Sequence, residues 1–245
     1  MIDIHCHILP EVDDGAKSWE MAQQMCQIAV ADGITDIVAT PHANDRYAYD
    51  RESLQATLSQ LQEKVGNSPR LALGCDFHLS YDNLQAAYLN PERYVIDKTQ
   101  YLLVELSNYS VPAQTGDCFH KLGNHGMTPV LTHPERNPIL QSTPQRILEW
   151  AEQGCIMQVT ASSFTGAWGE RVQQIARWLL EHEAVHVLAT DAHDTKHRIP
   201  KLSAAREVVA DIVGAEVADA LVEGNPKAIL KGQPLPYFPK PALKA

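Results

Sequence analysis

The chain has 245 residues, 44% of them hydrophobic, enough for a full core in one large α/β domain or two small ones. Twenty Lys and Arg against thirty Asp and Glu leave a formal net charge of −10, which argues against an extended nucleic-acid or anionic-membrane footprint. It leaves room for an anionic substrate, because bound cations can reverse the field inside a pocket.

No apolar run reaches the length of about 18 residues that a membrane helix needs. Acidic Asp3 and the polar His5-Cys6-His7 occupy the place of a signal peptide's apolar stretch, so a cytoplasmic protein without membrane insertion is expected. The cysteines at 6, 26, 75, 118 and 155 are odd in number and form no C-x-x-C pair. They predict reduced, mostly buried thiols rather than a disulfide framework or a structural zinc site. Proline and glycine are scattered, and neither a linker nor an internal repeat is visible.

In chain order, apolar runs at Ile2–Cys6, Thr35–Thr40, Arg70–Asp76, Tyr101–Leu106, Thr128–Thr132, Ile156–Thr160 and His186–Thr190 predict strands. Helical patterns lie between them, most clearly at Trp19–Asp32, Arg51–Val65, Thr143–Gln153, Glu170–His182 and Lys201–Val213. The first helix has Ser18 as N-cap and Gly33 as its stop. Alternation of this kind predicts parallel strands covered by helices. Strands that read as continuous apolar runs are buried on both faces, and seven of them fit a barrel better than an open sheet.

The polar residues that could carry chemistry fall at the C-terminal ends of these strands, the rim at which barrels and open α/β folds place their sites. They are His5 and His7, then His42, then Asp76 and His78, then Glu105, then His133 with Arg136, and finally Asp191 with His193. Along a strand, residues i and i+2 point the same way, so His5 and His7 can reach one cation while Cys6 points away, and Asp191 and His193 repeat that geometry. Imidazole with carboxylate suits manganese, iron or zinc better than calcium, and the lack of thiolate ligands reads as catalytic rather than structural. Taken singly, a His-x-His can be polar rim, and Asp13-Asp14-Gly15 can be a turn ahead of a helix. Glu105 among Leu102, Leu103, Val104 and Leu106 is harder to dismiss, because an unpaired carboxylate in an apolar strand is costly. His120, His125, His182, His186 and His197 are read as surface or packing residues, and His78 as a candidate for the pocket wall.

The opening Met1-Ile2-Asp3-Ile4-His5-Cys6-His7-Ile8-Leu9-Pro10 with Val12-Asp13-Asp14-Gly15 resembles the PHP (polymerase and histidinol phosphatase) superfamily. More closely it is similar to the bacterial tyrosine phosphatases of capsular and exopolysaccharide gene clusters. Thr40-Pro41-His42, Val104-Glu105-Leu106, His133-Pro134-Glu135-Arg136 and Thr190-Asp191-Ala192-His193 continue the resemblance in order, and it runs through Glu223-Gly224-Asn225-Pro226. The resemblance implies a single domain over residues 1–245, a distorted (β/α)7 TIM-like barrel of the PHP type. It implies three divalent cations, manganese or one of iron, zinc, cobalt and magnesium. His5 and His7 with Asp191 would hold the first, Asp14, His42 and His193 the second, and Glu105 with His133 the third. Asp76 stands where the family commonly has a bridging Glu, a departure that the shorter carboxylate must accommodate. Arg136 and Arg198 match positions that contact phosphate, Arg46 is a further candidate for substrate, and Asp191 and His42 join the two arginines as catalytic residues.

The implied reaction is hydrolysis of phosphotyrosine in a protein, a bacterial tyrosine kinase controlling exopolysaccharide synthesis, by a metal-activated water. A small-molecule phosphatase such as histidinol phosphatase is the alternative in the same fold. An amidohydrolase barrel also opens with His-x-His, but usually needs a carboxylated Lys where this chain has Glu105. A metal-binding regulatory protein would hydrolyse no phosphate ester at all. No cysteine begins a C-x5-R loop: after five intervening residues Cys118 meets Asn124, so no phosphocysteine intermediate is expected.

Overall fold

The computed structural model describes residues 1–241. Its strands are β1 (Ile2–Cys6), β2 (Asp36–Ala39), β3 (His42–Ala43), β4 (Arg70–Leu73), β5 (Asp76–His78), β6 (Tyr101–Glu105), β7 (Thr128–Thr132), β8 (Ile156–Thr160) and β9 (Val187–Ala189). The helices are α1 (Trp19–Ala31), α2 (Arg51–Val65), α3 (Tyr81–Leu89), α4 (Thr115–Asn124), α5 (Pro138–Ser142), α6 (Gln145–Glu152), α7 (Ala161–Phe164), α8 (Glu170–Glu181), α9 (Ser203–Val213), α10 (Ala215–Asp219) and α11 (Asn225–Leu230).

The parallel α/β arrangement expected from the alternation is present, but the strands form two ladders, β1-β2-β4 and β3-β5-β6-β7-β8-β9. The division falls inside the expected strand Arg70–Asp76 and at the end of the expected strand Thr35–Thr40, with β3 lying just beyond it. Thr40-Pro41 separates β2 from β3, and Gly74-Cys75 separates β4 from β5. Pro41 has no N–H to donate, so regular pairing stops there. Single bonds carry the contact across the gap, from Gly74 N–H to the Ala39 carbonyl at 2.8 Å and from Asp76 N–H to the Pro41 carbonyl at 3.1 Å. At the opposite edge, Asp191 N–H donates to the His5 carbonyl at 2.8 Å and His7 N–H to the Ala192 carbonyl at 2.9 Å. Those bonds tie the end of β1 to the residues that follow β9.

The strands' inner face changes character along its length. Ile2, Ile4, Val38, Tyr101, Leu103, Val130, Ile156, Val187 and Ala189 form an apolar layer, while a larger core lies between the strands and the helices. Further along the same faces, at two-residue steps, come Glu105 after Leu103, Gln158 and Thr160 after Ile156, and Asp191 after Ala189. β1 reaches this pattern through a bulge, since Asp3 pairs with Ile37 but Cys6 with Ala39. The extra residue resets the alternation, so His5 and His7 continue on the side of Ile2 and Ile4 while Cys6 joins the outer core.

Ser18 caps α1 as expected, its hydroxyl accepting from Met21 N–H at 3.2 Å. The helix expected from Lys201 begins at Ser203, because the Asp32 carboxylate accepts from Leu202 N–H and Ser203 N–H, at 2.7 and 3.0 Å. The helix expected from Thr143 begins at Gln145, after Pro144. α3 and α4 fill intervals between strands where no clear helical pattern was read; α4 carries Gly116 and Gly123, and its sequence signal is correspondingly weak.

Candidate metal centre

Three histidines are fixed with one ring nitrogen turned inward. His7 Nδ1 donates to Asp13 Oδ2 at 2.7 Å, His5 Nδ1 to Gln158 Oε1 at 2.8 Å, and His193 Nδ1 to the Asp191 carbonyl at 3.0 Å. Carboxylate and carbonyl oxygens only accept, so Nδ1 carries a proton, and in the neutral ring that a metal requires Nε2 keeps its lone pair. An imidazole oriented through its second nitrogen is the usual preparation for a metal ligand. Asp13 also accepts from Gly15 N–H and His42 N–H, at 2.8 and 3.2 Å, which folds the loop after β1 back over the site. Gly15 makes that fold possible: a Cβ there would come within 2.0 Å of the His7 carbonyl oxygen.

The inward atoms converge in three overlapping groups, His7-Asp14-His42-His193, His5-His7-Asp76 and His42-Asp76-Glu105, each with its donor atoms within 4.8 Å of one another. Asp14 Oδ1 lies 3.3 Å from His42 Nε2 and 3.4 Å from His193 Nε2. Asp76 Oδ2 lies 3.2 Å from His42 Nδ1, 3.6 Å from His5 Nε2 and 3.9 Å from His7 Nε2. These groupings differ from the partition that the resemblance implies: Asp76 stands with His5 and His7, and Glu105 with His42 and Asp76. Asp191 Oδ1 stays 3.4 Å from both His5 Nε2 and His7 Nε2, and His133 Nε2 lies 3.8 Å from Glu105 Oε1.

Two buried atoms in this cluster, Asp76 Oδ2 and His42 Nδ1, have no hydrogen-bond partner. Buried polar groups are rarely left so, and a cation would satisfy both at once. The borderline nitrogen and carboxylate donors fit divalent transition metals. The same crowding shows in the proton affinities. Burial opposes charge on His42, yet Asp14, Asp76 and Glu105 raise it to about 11, and against the same opposition Asp13 raises His7 to about 9. Hydrogen bonds from His193 and His42 hold Asp14 well below the ordinary carboxylate range. Burial and then the Arg136 charge push His133 down to about 3. Around His7 and His42 the carboxylates therefore favour positive charge, as protons or as metal.

Two of the convergent residues sit on left-handed backbone, His133 at φ 36° and Asp191 at φ 50°. Non-glycine residues hold that conformation only where their surroundings impose it, and functional sites are where such positions collect. Arg136 and Arg198 both donate to Asp191 Oδ2, Arg198 at 2.5 Å. Arg136 also reaches Thr160 Oγ1 at 3.3 Å. Arg46 is exposed beside Tyr47 and makes no side-chain hydrogen bond or ion pair with the cluster. It lines a cleft of about 410 Å³ with Asn44, His78, Glu105, Ser107 and Tyr109, and His78 Nδ1 lies 3.6 Å from Glu105 Oε2.

Asp13, Gln158, Glu135 and Trp168 escaped the sequence reading. Asp13 stood beside Asp14 in the motif and could have been found as a partner for His7. Gln158 follows the apolar Ile156-Met157, and its role shows only once β8 faces β1. Buried Glu135 accepts from Thr160 N–H and the Ser163 hydroxyl at 3.0 and 2.7 Å, bracing the segment that carries Arg136. All five cysteines are unpaired, and burial pushes each thiol upward, Cys26 and Cys155 to about 12, which is the opposite of a nucleophile's environment.

Known proteins share this chain's sequence pattern and its overall fold. YwqE of Bacillus subtilis (strain 168), a tyrosine-protein phosphatase, is 30% identical over 247 aligned positions that span 100% of this chain and 97% of that protein. CpsB of Streptococcus pneumoniae, also a tyrosine-protein phosphatase, is 29% identical over 242 positions, 95% of this chain and 99% of its own. A chain from the crystal structures of YwqE and CpsB, described as unique metal-dependent tyrosine phosphatases, matches with a TM-score of 0.91 at 30% identity over 100% of both chains. The family model for capsular polysaccharide synthesis proteins CpsB/CapC matches residues 1–231, and the chain belongs to that family.

Proposed function

We propose that this chain is a metal-dependent phosphatase that hydrolyses phosphotyrosine in proteins, acting on a bacterial tyrosine kinase that controls exopolysaccharide synthesis. The observation that carries this reading is the buried, unpartnered Asp76 Oδ2 among three imidazole nitrogens. The overlapping groups His7-Asp14-His42-His193, His5-His7-Asp76 and His42-Asp76-Glu105 would supply the ligands for the cations, each imidazole serving one cation, with Asp191 and His133 at the edges. The cations, manganese in the first instance, would supply Lewis-acid charge for the phosphoryl oxygens and acidify water.

The chain's own residues do the rest. Asp13 and Gln158 hold His7 and His5 with Nε2 inward. Arg136 and Arg198 take two phosphoryl oxygens; their planar forks suit that task, and the buried Nε–H of Arg198 is unpartnered. As charge builds on those oxygens, the two guanidiniums stabilise it. Phenolate leaves readily, so the aryl ester needs less protonation at its bridging oxygen than an alkyl ester would. The open cleft beside Glu105, with Tyr109 at its lip, suits a peptide flanking the phosphotyrosine better than a small alcohol.

The bonds joining β1 to the residues after β9 support closure of the seven strand segments into a distorted (β/α)7 barrel forming one domain. Five unpaired cysteines favour a reducing, cytoplasmic setting. Among the described residues, no helix is long and apolar enough to cross a membrane.

The test is to strip the protein of metal, restore manganese, and assay phosphotyrosine peptides beside histidinol phosphate. Manganese-dependent turnover that favours the peptides supports the proposal. Turnover of histidinol phosphate alone would replace it with the small-molecule reading, and no turnover of either would refute both.

A further inference from the structure

Trp168 lies beside the site and is not among the residues grouped as metal ligands. The Arg136 guanidinium carbon stands 3.8 Å from the centroid of its ring, and that of Arg198 stands 5.3 Å away. Both arginines converge on one oxygen, Asp191 Oδ2, so two like charges are held close together. A single carboxylate offsets only part of their repulsion. The negative π face of an indole attracts each cation and favours flat stacking of the guanidinium plane.

The indole is itself fixed. Its Nε1–H donates to Ser162 Oγ at 2.9 Å. The loop that carries it is closed by bonds from Ala167 N–H to the Ser162 carbonyl at 3.1 Å and from Gly169 N–H to the Gly166 carbonyl at 3.0 Å. Gly169 then turns the chain into α8 at φ 89°, where a side chain would be strained.

We infer that Trp168 is a positioning residue that stacks the Arg136 and Arg198 guanidiniums into a preformed clamp for the phosphoryl group. It acts through the arginines and is not a catalytic residue. The inference deepens the phosphatase reading and rests on it, but it is tested by binding of inorganic phosphate, which does not depend on which ester is hydrolysed.

The experiment measures phosphate affinity of the manganese-loaded protein by calorimetry for wild type, Trp168→Leu, Trp168→Phe and Arg136→Ala, and for Trp168→Leu combined with Arg136→Ala. Trp168→Leu should weaken phosphate binding about 5- to 30-fold, the scale of a desolvated cation–π contact, with metal content unchanged. Trp168→Phe should recover most of that loss. In the Arg136→Ala background, Trp168→Leu should cost less than about twofold further, because the contact it removes is mostly gone. Side-chain nitrogen–proton spectra of the zinc-loaded protein, in which no paramagnetic ion broadens the signal, provide the second readout. The Arg136 Nε–H signal should be ring-current shifted in wild type and move toward the free-arginine position in Trp168→Leu.

Full multiplicative losses in the double variant would show that Trp168 acts elsewhere and overturn the inference. So would an unshifted Arg136 signal in wild type, or wild-type protein that fails to bind phosphate. If phosphate binding behaves as described while no aryl phosphate is hydrolysed, the clamp stands and the proposed reaction falls.

Discussion

Asp13 and His7 are six residues apart and joined by a 2.7 Å hydrogen bond from Nδ1 to Oδ2 inside the protein. The bond turns the loop after β1 into part of the site, because the same carboxylate also accepts the backbone N–H groups of Gly15 and His42. Asp14, the next residue, is thereby directed at His42 and His193.

Replacing Asp13 by alanine should therefore lower metal affinity about 10- to 100-fold while leaving every grouped ligand in place, the range seen when the partner of a ligating histidine is removed. Asp13→Asn should lose less, since an amide oxygen can still accept from Nδ1. Competition with a chelator of known affinity measures both. Unchanged affinity in Asp13→Ala would show that the bond does not prepare His7.

The two arginines should separate phosphate recognition from metal assembly. Arg136→Ala and Arg198→Ala should each keep full metal content and lose roughly 10- to 1000-fold in kcat/KM, corresponding to about 1.4–4 kcal/mol of transition-state stabilisation. Arg136→Lys should recover only part, because a point charge cannot make the forked contact. Metal analysis beside steady-state kinetics decides it, and normal kinetics in Arg136→Ala would remove that residue from the clamp.

Turnover should not depend on any thiol. Cys118→Ser and Cys6→Ser should each retain most activity, while chelation abolishes it and manganese restores it. Activity that followed either cysteine would contradict the metal mechanism.

Much of this site was legible before the strands were placed, because alternation is a property of the chain alone: Glu105, Asp191 and His193 follow from counting two residues at a time. β1 shows the limit of that reasoning. His5 and His7 share a side as their spacing requires, yet they line up with Ile2 and Ile4 only through a bulge set by pairing with β2. Interleaving of the ligands was not legible either. Glu105 and His42 meet at Asp76 only because β5 lies between β3 and β6, and Asp76 meets His5 and His7 across the two ladders. Trp168 carried no signal at all, since its neighbours in sequence are loop residues and the two arginines it faces lie 30 or more positions away. α3 and α4 gave no clear pattern for a different reason, being short helices formed where tertiary packing outweighs propensity.

His186, read from sequence as a packing residue, links the protein's stability to pH away from the cation cluster. Buried, it accepts from Met157 N–H through Nδ1 and donates to the Pro239 carbonyl through Nε2, both at 3.1 Å. Burial lowers it from 6.5 to about 4. Between those values the unfolded chain binds a proton that the folded protein does not, so stability should fall as pH drops from about 6.5 to 4. The loss attributable to this group is about 3 kcal/mol at the acid end. Urea unfolding of wild type and His186→Gln across that window isolates it. The variant should be less stable at pH 7.5 and should lose less on acidification; parallel losses in the two proteins would contradict the assignment.

The central claim is that one cluster of histidines and carboxylates gathers several cations, and anomalous diffraction from manganese-loaded crystals tests it most directly. The expected result is at least two anomalous peaks within about 4 Å of each other, the spacing of bimetallic hydrolases. One should lie among His7, Asp14, His42 and His193, and the other against Asp76. A single isolated peak, or none after loading, would contradict the account.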